Sequence, residues 1–148
     1  MKKLFILALI AIATGTSAFA GPSSISTKVS EHFTTSFSKA KNVTWTTTAK
    51  FDQVTFQLNN ETVDAFYDKE GELIGTTKTI GFDKLPKAAL ETLTTKYTYP
   101  EFQLKECIEF VSAANEKNYY VSFERKDEVV MVEITKGGKV SLFNRIKK

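Results

Sequence analysis

The stretch 54–73, which begins Val54-Thr55-Phe56, returns in altered form as the stretch 121–140, which begins Val121-Ser122-Phe123. In both stretches apolar residues alternate with other residues, and a glycine follows them. The matching positions, all 67 residues apart, are 54/121, 56/123, 63/130, 67/134, 71/138 and 73/140. A constant offset held over apolar positions and a glycine indicates a duplicated structural unit.

The first twenty residues have the pattern of a secretory signal peptide. Two lysines precede an apolar run over 4–13, and Ala18-Phe19-Ala20 resembles the small-residue site at which such peptides are cleaved. The run is about half of the ~20 residues that a membrane-spanning helix needs. We therefore predict a signal peptide over 1–20, a mature domain over 21–148, and a periplasmic or secreted location without stable membrane insertion. An uncleaved anchor is the alternative.

Charge and cysteine content limit the kinds of partner and stabilisation. The formal net charge of +3 includes the two leader lysines, so the mature chain carries 18 basic and 17 acidic residues, or about +1. A field this weak does not favour nucleic acid as a partner. Cys107 is the sole cysteine, which excludes an internal disulfide. We expect a buried Cys107, with an exposed thiol that links two chains as the alternative.

Periodicity predicts one helix and four strands in each unit. Val29, Phe33 and Phe37 form one apolar stripe, which predicts a helix over 27–39, and Leu85-Pro86 opens the second helix. The repeats span about 26–80 and about 83–147. We predict an α+β fold in which two tandem α-β4 repeats form one antiparallel sheet with both helices on one face. The helices match at an offset of 60, so we place seven extra residues of the second repeat at 112–118.

The sheet face away from the helices is a candidate contact surface. Strict alternation puts mostly polar residues there, as expected for a solvated face. Four exceptions are not polar, namely Phe66, Tyr120, Met131 and Phe143. These four and Arg145 belong to residue types enriched at protein interfaces, and the five are the candidate contact residues. Ordinary cross-strand packing of scattered side chains is the alternative interpretation.

The sequence offers little for catalysis or metal binding. His32 is the lone histidine, and the positions four residues away are Lys28 and Ser36, which are not metal ligands of the usual kind. Cys107 has no histidine near it in sequence to activate its thiol. We therefore predict a protein that is not an enzyme and holds no cofactor and no metal.

The ordered set of motifs resembles the PepSY-like domain family of exported Bacteroidetes-type proteins, which is similar in fold to the beta-lactamase inhibitor protein. The motifs are Phe33-x3-Phe37, Asn42-Val43-x-Trp45, the hairpin Tyr67–Leu73, Leu85-Pro86, Tyr97 and Gly138-x-Val140. This resemblance implies one curved sheet, a periplasmic or secreted location and an open sheet face that binds protein. The inhibitor protein carries disulfides, which this chain cannot form.

Three hypotheses follow for the function. The first is an exported, non-catalytic module that binds another exported protein, for example as an inhibitor or modulator of a periplasmic enzyme. The second is a carrier or sensor of a small or peptide ligand in the concavity of the sheet. The third is a self-associating surface protein.

Overall fold

The computed structural model describes residues 25–148, so the predicted signal peptide over 1–20 lies outside the described residues. Two helices and eight strands alternate as one helix and four strands, twice. The first unit comprises α1 (Thr27–Ser36), β1 (Lys41–Thr47), β2 (Asp52–Leu58), β3 (Glu61–Tyr67) and β4 (Leu73–Thr79). The second comprises a 3₁₀ turn (Phe82–Lys84), α2 (Lys87–Lys96), β5 (Gln103–Ser112), β6 (Lys117–Glu124), β7 (Glu128–Thr135) and β8 (Val140–Lys147).

The eight strands form one antiparallel sheet in which each strand pairs with its neighbours in sequence, from β1 to β8. The two units join where β4 pairs with β5, and we call this pairing the seam. Gly71 and Gly138 occupy equivalent hairpins, and both have a positive φ, +82° and +87°, which glycine adopts at little cost. The predicted α+β class and the tandem α-β4 architecture are confirmed.

Both helices pack on the same face of the sheet. Val29 and Phe33 of α1 lie against Val54, Phe56 and other residues of the first unit. In the second unit, α2 contributes buried residues to a separate cluster with strands β5 to β7. Its buried members are Leu85, Ala89, Leu93, Cys107, Val121, Phe123, Val130, Val132 and Ile134. The repeated apolar positions of the sequence are thus the positions that face the helices.

Helix α1 begins as expected, because the Ser26 hydroxyl accepts a hydrogen bond from the Val29 N–H at 3.3 Å. It ends at Ser36 rather than at residue 39, and Phe37 turns the chain toward β1. The seven extra residues of the second unit are not one insertion at 112–118. They are shared among a longer helix-to-strand connection, a β5 of 10 residues against 7 in β1, and an earlier start of β6.

Candidate protein-contact face

The sheet face opposite the helices, hereafter the open face, carries an apolar cluster of its own. Its buried members are Phe51, Phe66, Phe110, Tyr120 and Met131, with Ile74, Ile108, Val129 and Phe143 packed against them. Four of the five predicted contact residues, all except Arg145, therefore meet in one place. We call this group the aromatic cluster.

The aromatic cluster is packed, not spread out as an exposed patch. Phe66 and Tyr120 are each 3% exposed and Met131 is 1% exposed, whereas Phe143 is half-buried. Edge-to-face contacts join Phe51 to Phe66 at 5.7 Å and Tyr120 to Phe143 at 5.2 Å between ring centroids. Both described helices lie on the other face, so these side chains are buried by one another and by their neighbours on the open face.

Arg145 does not lie on the open face, contrary to the prediction. The pairing of β7 with β8 shifts register between Met131 and Val132, so that Arg145 stands opposite Val130, a residue that faces the helices. Its guanidinium donates to Glu128 at 3.2 Å on that side. A β-bulge of this kind adds one residue to a strand and reverses the side on which later residues project.

Sequence reasoning missed several members of the cluster. Phe51 precedes the repeated stretch that begins at Val54, and Val129 directly precedes Val130, the first apolar position of its strand that matches the other half. Strict alternation puts Phe110 on the same face as Leu104, but a bulge between Leu104 and Glu106 places them on opposite faces. The signal that could have identified Phe110 is its spacing from the apolar residues that follow the bulge, not from those that precede it.

Gly75 allows the aromatic cluster to close across the seam. It stands opposite Phe66 on β3 and opposite Ser112 on β5. A Cβ atom at Gly75 would lie 2.7 Å from two ring carbons of Phe110 and 2.5 Å from the Val111 carbonyl oxygen. A glycine is therefore needed for the Phe110 ring to cover this position, as in other sheets where aromatic side chains shield a glycine.

Buried polar groups beside the aromatic cluster are satisfied by one another. The Tyr120 hydroxyl donates to Glu133 Oε1 at 2.8 Å, and Asn118 Nδ2 donates to the same oxygen at 3.1 Å. Burial, assisted by the neighbouring Glu133 carboxylate, raises the pKa of the Tyr120 phenol well above its ordinary value. In the first unit, Gln53 Nε2 donates to Asp64 at 2.9 Å and the Thr55 hydroxyl donates to the same oxygen.

Glu106 differs from these carboxylates. It follows the β5 bulge, stands opposite Ser122 and is half-buried. Burial raises the pKa of its carboxyl, and no side chain among residues 25–148 donates a hydrogen bond to it. It lines an opening of about 460 Å³ beside the seam, together with Ile80, Phe82 and Leu104.

The two residues considered for reactivity have structural surroundings. Cys107 is 3% exposed, and burial, with the nearby Glu106 charge, raises the pKa of its thiol to about 11, so the reactive thiolate is suppressed. The buried interpretation of Cys107 is therefore confirmed, and the bulge that precedes it turns it toward α2. His32 Nδ1 lies 3.0 Å from the hydroxyl of Tyr67, which is fully buried and has a pKa raised by burial to about 12.

Over 25–148, no group of three His, Cys, Asp or Glu side chains is placed to hold a metal ion. Neither helix in that range is long and apolar enough to cross a bilayer.

An open antiparallel sheet with two helices on one side defines the class of fold, and solved structures from Bacteroides species share it. A beta-lactamase-inhibitor-protein-like (BLIP-like) protein from Bacteroides fragilis aligns with a TM-score of 0.69 and 12% identity, over 89% of this chain and 92% of that one. A DUF2874 family protein from Bacteroides uniformis aligns with a TM-score of 0.69 and 11% identity, over 83% and 89% of the two chains.

A third solved structure, from Bacteroides eggerthii and described only as a candidate periplasmic protein, aligns with a TM-score of 0.70 and 8% identity, over 84% and 90%. No protein-family profile and no curated protein matches the chain. The TM-scores establish a shared fold, and identities this low establish nothing about activity. The fold is BLIP-like.

Proposed function

We propose that this is an exported, non-catalytic module that binds another exported protein through the open face. The observation that carries the proposal is the open face itself. Within residues 25–148 it is a broad sheet surface without a helical cover, whose apolar floor is already packed and whose rim is polar. A surface ordered before binding loses little conformational freedom when a partner docks.

The packed floor favours a protein over a small ligand. Phe66, Tyr120 and Met131 are 1–3% exposed, so the cluster is filled by its own side chains and offers little room for an apolar ligand. The exposed part of the face consists of side chains such as Thr44, Thr46 and Ser141 with Ile146, which is 45% exposed. A mixed polar and apolar surface of this kind is typical of non-obligate protein interfaces.

The edges of the sheet favour docking by face over pairing by strand. In β1 a bulge lies between Lys41 and Thr44, and Asn42 has a φ of +52°. Strand β8 carries its own bulge opposite Met131 and Val132. Bulges at edge strands hinder the addition of a further strand. They argue against self-association through the edges and leave the open face as the larger continuous surface.

The proposal also includes export of the chain, a relationship to the PepSY-like family and inhibition of a periplasmic enzyme. The signal-like leader supports export, as does the fold shared with a candidate periplasmic protein. The ordered motifs of the sequence support a PepSY-like relationship, and the BLIP-like fold supports inhibition or modulation of a periplasmic enzyme as one form of binding. The absence of catalysis is supported by a suppressed Cys107 thiol and by His32, which is engaged with Tyr67.

Steric blocking of the open face tests the proposal. Thr44→Trp with Thr46→Trp places two bulky side chains at exposed open-face positions of β1, opposite Thr55 and Gln53. The matched control, Thr34→Trp with Thr95→Trp, makes the same change at exposed helix positions. We expect affinity capture from periplasmic extract of the source cells to recover a defined partner with the wild type and the control, and not with the blocked variant. Equal recovery by all three would refute docking at this face.

A further inference from the structure

The carboxylates of the strands differ between the two faces of the sheet. Eight strand residues are acidic, and the pairing register puts four on each face. The four on the helix-side face each have a lysine or arginine within 4 Å. They are Asp52 with Lys69 at 2.7 Å, Glu61 with Lys78 at 3.0 Å, Glu109 with Lys117 at 3.0 Å and Glu128 with Arg145 at 3.2 Å.

On the open face the pattern is reversed. Glu124, at one end of the face, has Lys105 at 2.9 Å and Lys148 in contact, and these cations lower the pKa of its carboxyl to about 2. The other three, Asp64, Glu106 and Glu133, have no lysine or arginine within 4 Å anywhere in residues 25–148. The register also places Lys41 on the open face, opposite Gln57, so the face carries four carboxylates against Lys41 and the two lysines that hold Glu124. Its excess negative charge lies at Asp64, Glu106 and Glu133, whereas the mature chain as a whole carries about +1.

Two of these three carboxylates are held in place without being neutralised. Asp64 accepts from Gln53 and Thr55, and Glu133 accepts from Asn118 and Tyr120. Neutral donors fix the direction of a carboxylate but leave its charge, which a cation close by would then stabilise. The third, Glu106, is half-buried and has no donor in the described chain, so burial disfavours its charged form until a cation approaches.

We propose that the partner docks on the open face with a cationic segment, in which lysine or arginine side chains alternate with apolar ones. The proposal rests on the proposed function and names the chemistry of its partner. Lysine or arginine would pair with Asp64, Glu106 and Glu133. The apolar side chains would contact Phe143, a half-buried member of the aromatic cluster, and Ile146, which is exposed and stands opposite Val129 on the same face. Charge complementarity of this kind directs the choice of partner and accelerates association.

Defined peptides test the choice of charge. Three fluorescent peptides of equal length and apolar content carry lysine, serine or glutamate at every second position, and fluorescence anisotropy measures their affinity. We expect the lysine peptide to bind at least about ten-fold more tightly than the serine peptide at low salt, and the difference to shrink as salt screens the charges. The glutamate peptide should bind most weakly.

Matched variants test the location. Asp64→Asn, Glu106→Gln and Glu133→Gln together remove three charges from the open face while they retain side-chain shape. Half-buried ion pairs contribute a few-fold each, so we expect the combined variant to bind the lysine peptide roughly 10- to 100-fold more weakly. Glu61→Gln with Glu109→Gln removes charge from the helix-side face and should change affinity less than about two-fold. Circular dichroism confirms that each variant is folded.

The possible failures are distinguishable. Equal weakening by the open-face and helix-side variants would overturn the proposal, because net charge and not the face would then explain binding. Equal affinity for the lysine and serine peptides, with both blocked by Thr44→Trp and Thr46→Trp, would overturn the cationic partner while docking at the face stands. If no peptide binds and the blocking variant still captures the partner, then docking at the open face fails as well.

Discussion

Replacement of Gly75 by alanine tests whether the seam and the aromatic cluster depend on close approach of two strands. The new Cβ atom would lie 2.5 Å from the Val111 carbonyl oxygen and 2.7 Å from the Phe110 ring. A side-chain ring can tilt, but the carbonyl belongs to a strand paired on both sides, so it moves only if the seam opens. Overpacking of this kind costs about 1–3 kcal/mol, offset by the ~0.5–1 kcal/mol that alanine gains over glycine in a strand.

We therefore expect Gly75→Ala to lower the free energy of unfolding by about 1–2 kcal/mol, measured by urea denaturation. The control is Gly137→Ala, because a Cβ there meets only the Thr135 hydroxyl, at 3.9 Å, and φ lies outside the left-handed region. That variant should be neutral or stabilised by up to about 1 kcal/mol. In a Phe110→Leu background Gly75→Ala should cost less, and the difference between the two costs is the part of the loss due to the ring. A Gly75→Ala protein within about 0.5 kcal/mol of wild type would refute the packing argument.

Three further outcomes follow from individual contacts. Because burial raises the pKa of Glu106, protonation of its carboxyl stabilises the folded state. That stabilisation is present below the ordinary pKa of 4.5 and is lost as the pH rises through the higher pKa of the folded state. Glu106→Gln should therefore unfold at a higher urea concentration than wild type at pH 7, and at the same concentration at pH 3. His32→Ala removes the hydrogen-bond partner of the buried Tyr67 hydroxyl and should lower the free energy of unfolding by about 1 kcal/mol. The same change in a Tyr67→Phe background should lower it less, and a double-mutant cycle in urea measures the difference. The Cys107 thiol should react with a disulfide reagent at least about 100-fold more slowly in the folded protein than in guanidinium, since only unfolding exposes it, and comparable rates would contradict its burial.

The architecture could be predicted from sequence because its signals are local or repeated. The helix stripes, the hairpin glycines and the offset of 67 each specify one element or one pairing, and together they require a duplicated sheet. Bulges could not be predicted, since an extra residue in a strand leaves no mark in composition. The β8 bulge reversed Arg145, and the β5 bulge separated Leu104 from Phe110.

The burial of side chains on the open face was the other property that the sequence could not predict. The sequence indicates which residues share a face, but exposure depends on how strongly the sheet curves and on what lies across it. Phe66 and Tyr120 are about fifty residues apart, and their burial depends on Phe51 and on the glycine at the seam. The variants that test binding must therefore use the exposed margin, because truncation of a buried ring would measure stability instead.

A comparison of the two halves shows that duplication constrains one face of the sheet more than the other. Positions that face the helices stay apolar at the offset of 67, because each half must fill an equivalent space beneath its own helix. Examples are Val54 with Val121, Phe56 with Phe123 and Val63 with Val130. Several open-face positions have diverged: Gln53 matches Tyr120, Asp64 matches Met131 and Phe66 matches Glu133, although Thr55 still matches Ser122. Equivalent packing does not require this divergence. Each half therefore supplies at least one aromatic ring and at least one carboxylate without a cation to the open face, and the two halves do so from non-equivalent positions. Only the complete eight-stranded sheet presents both kinds of group across its whole width.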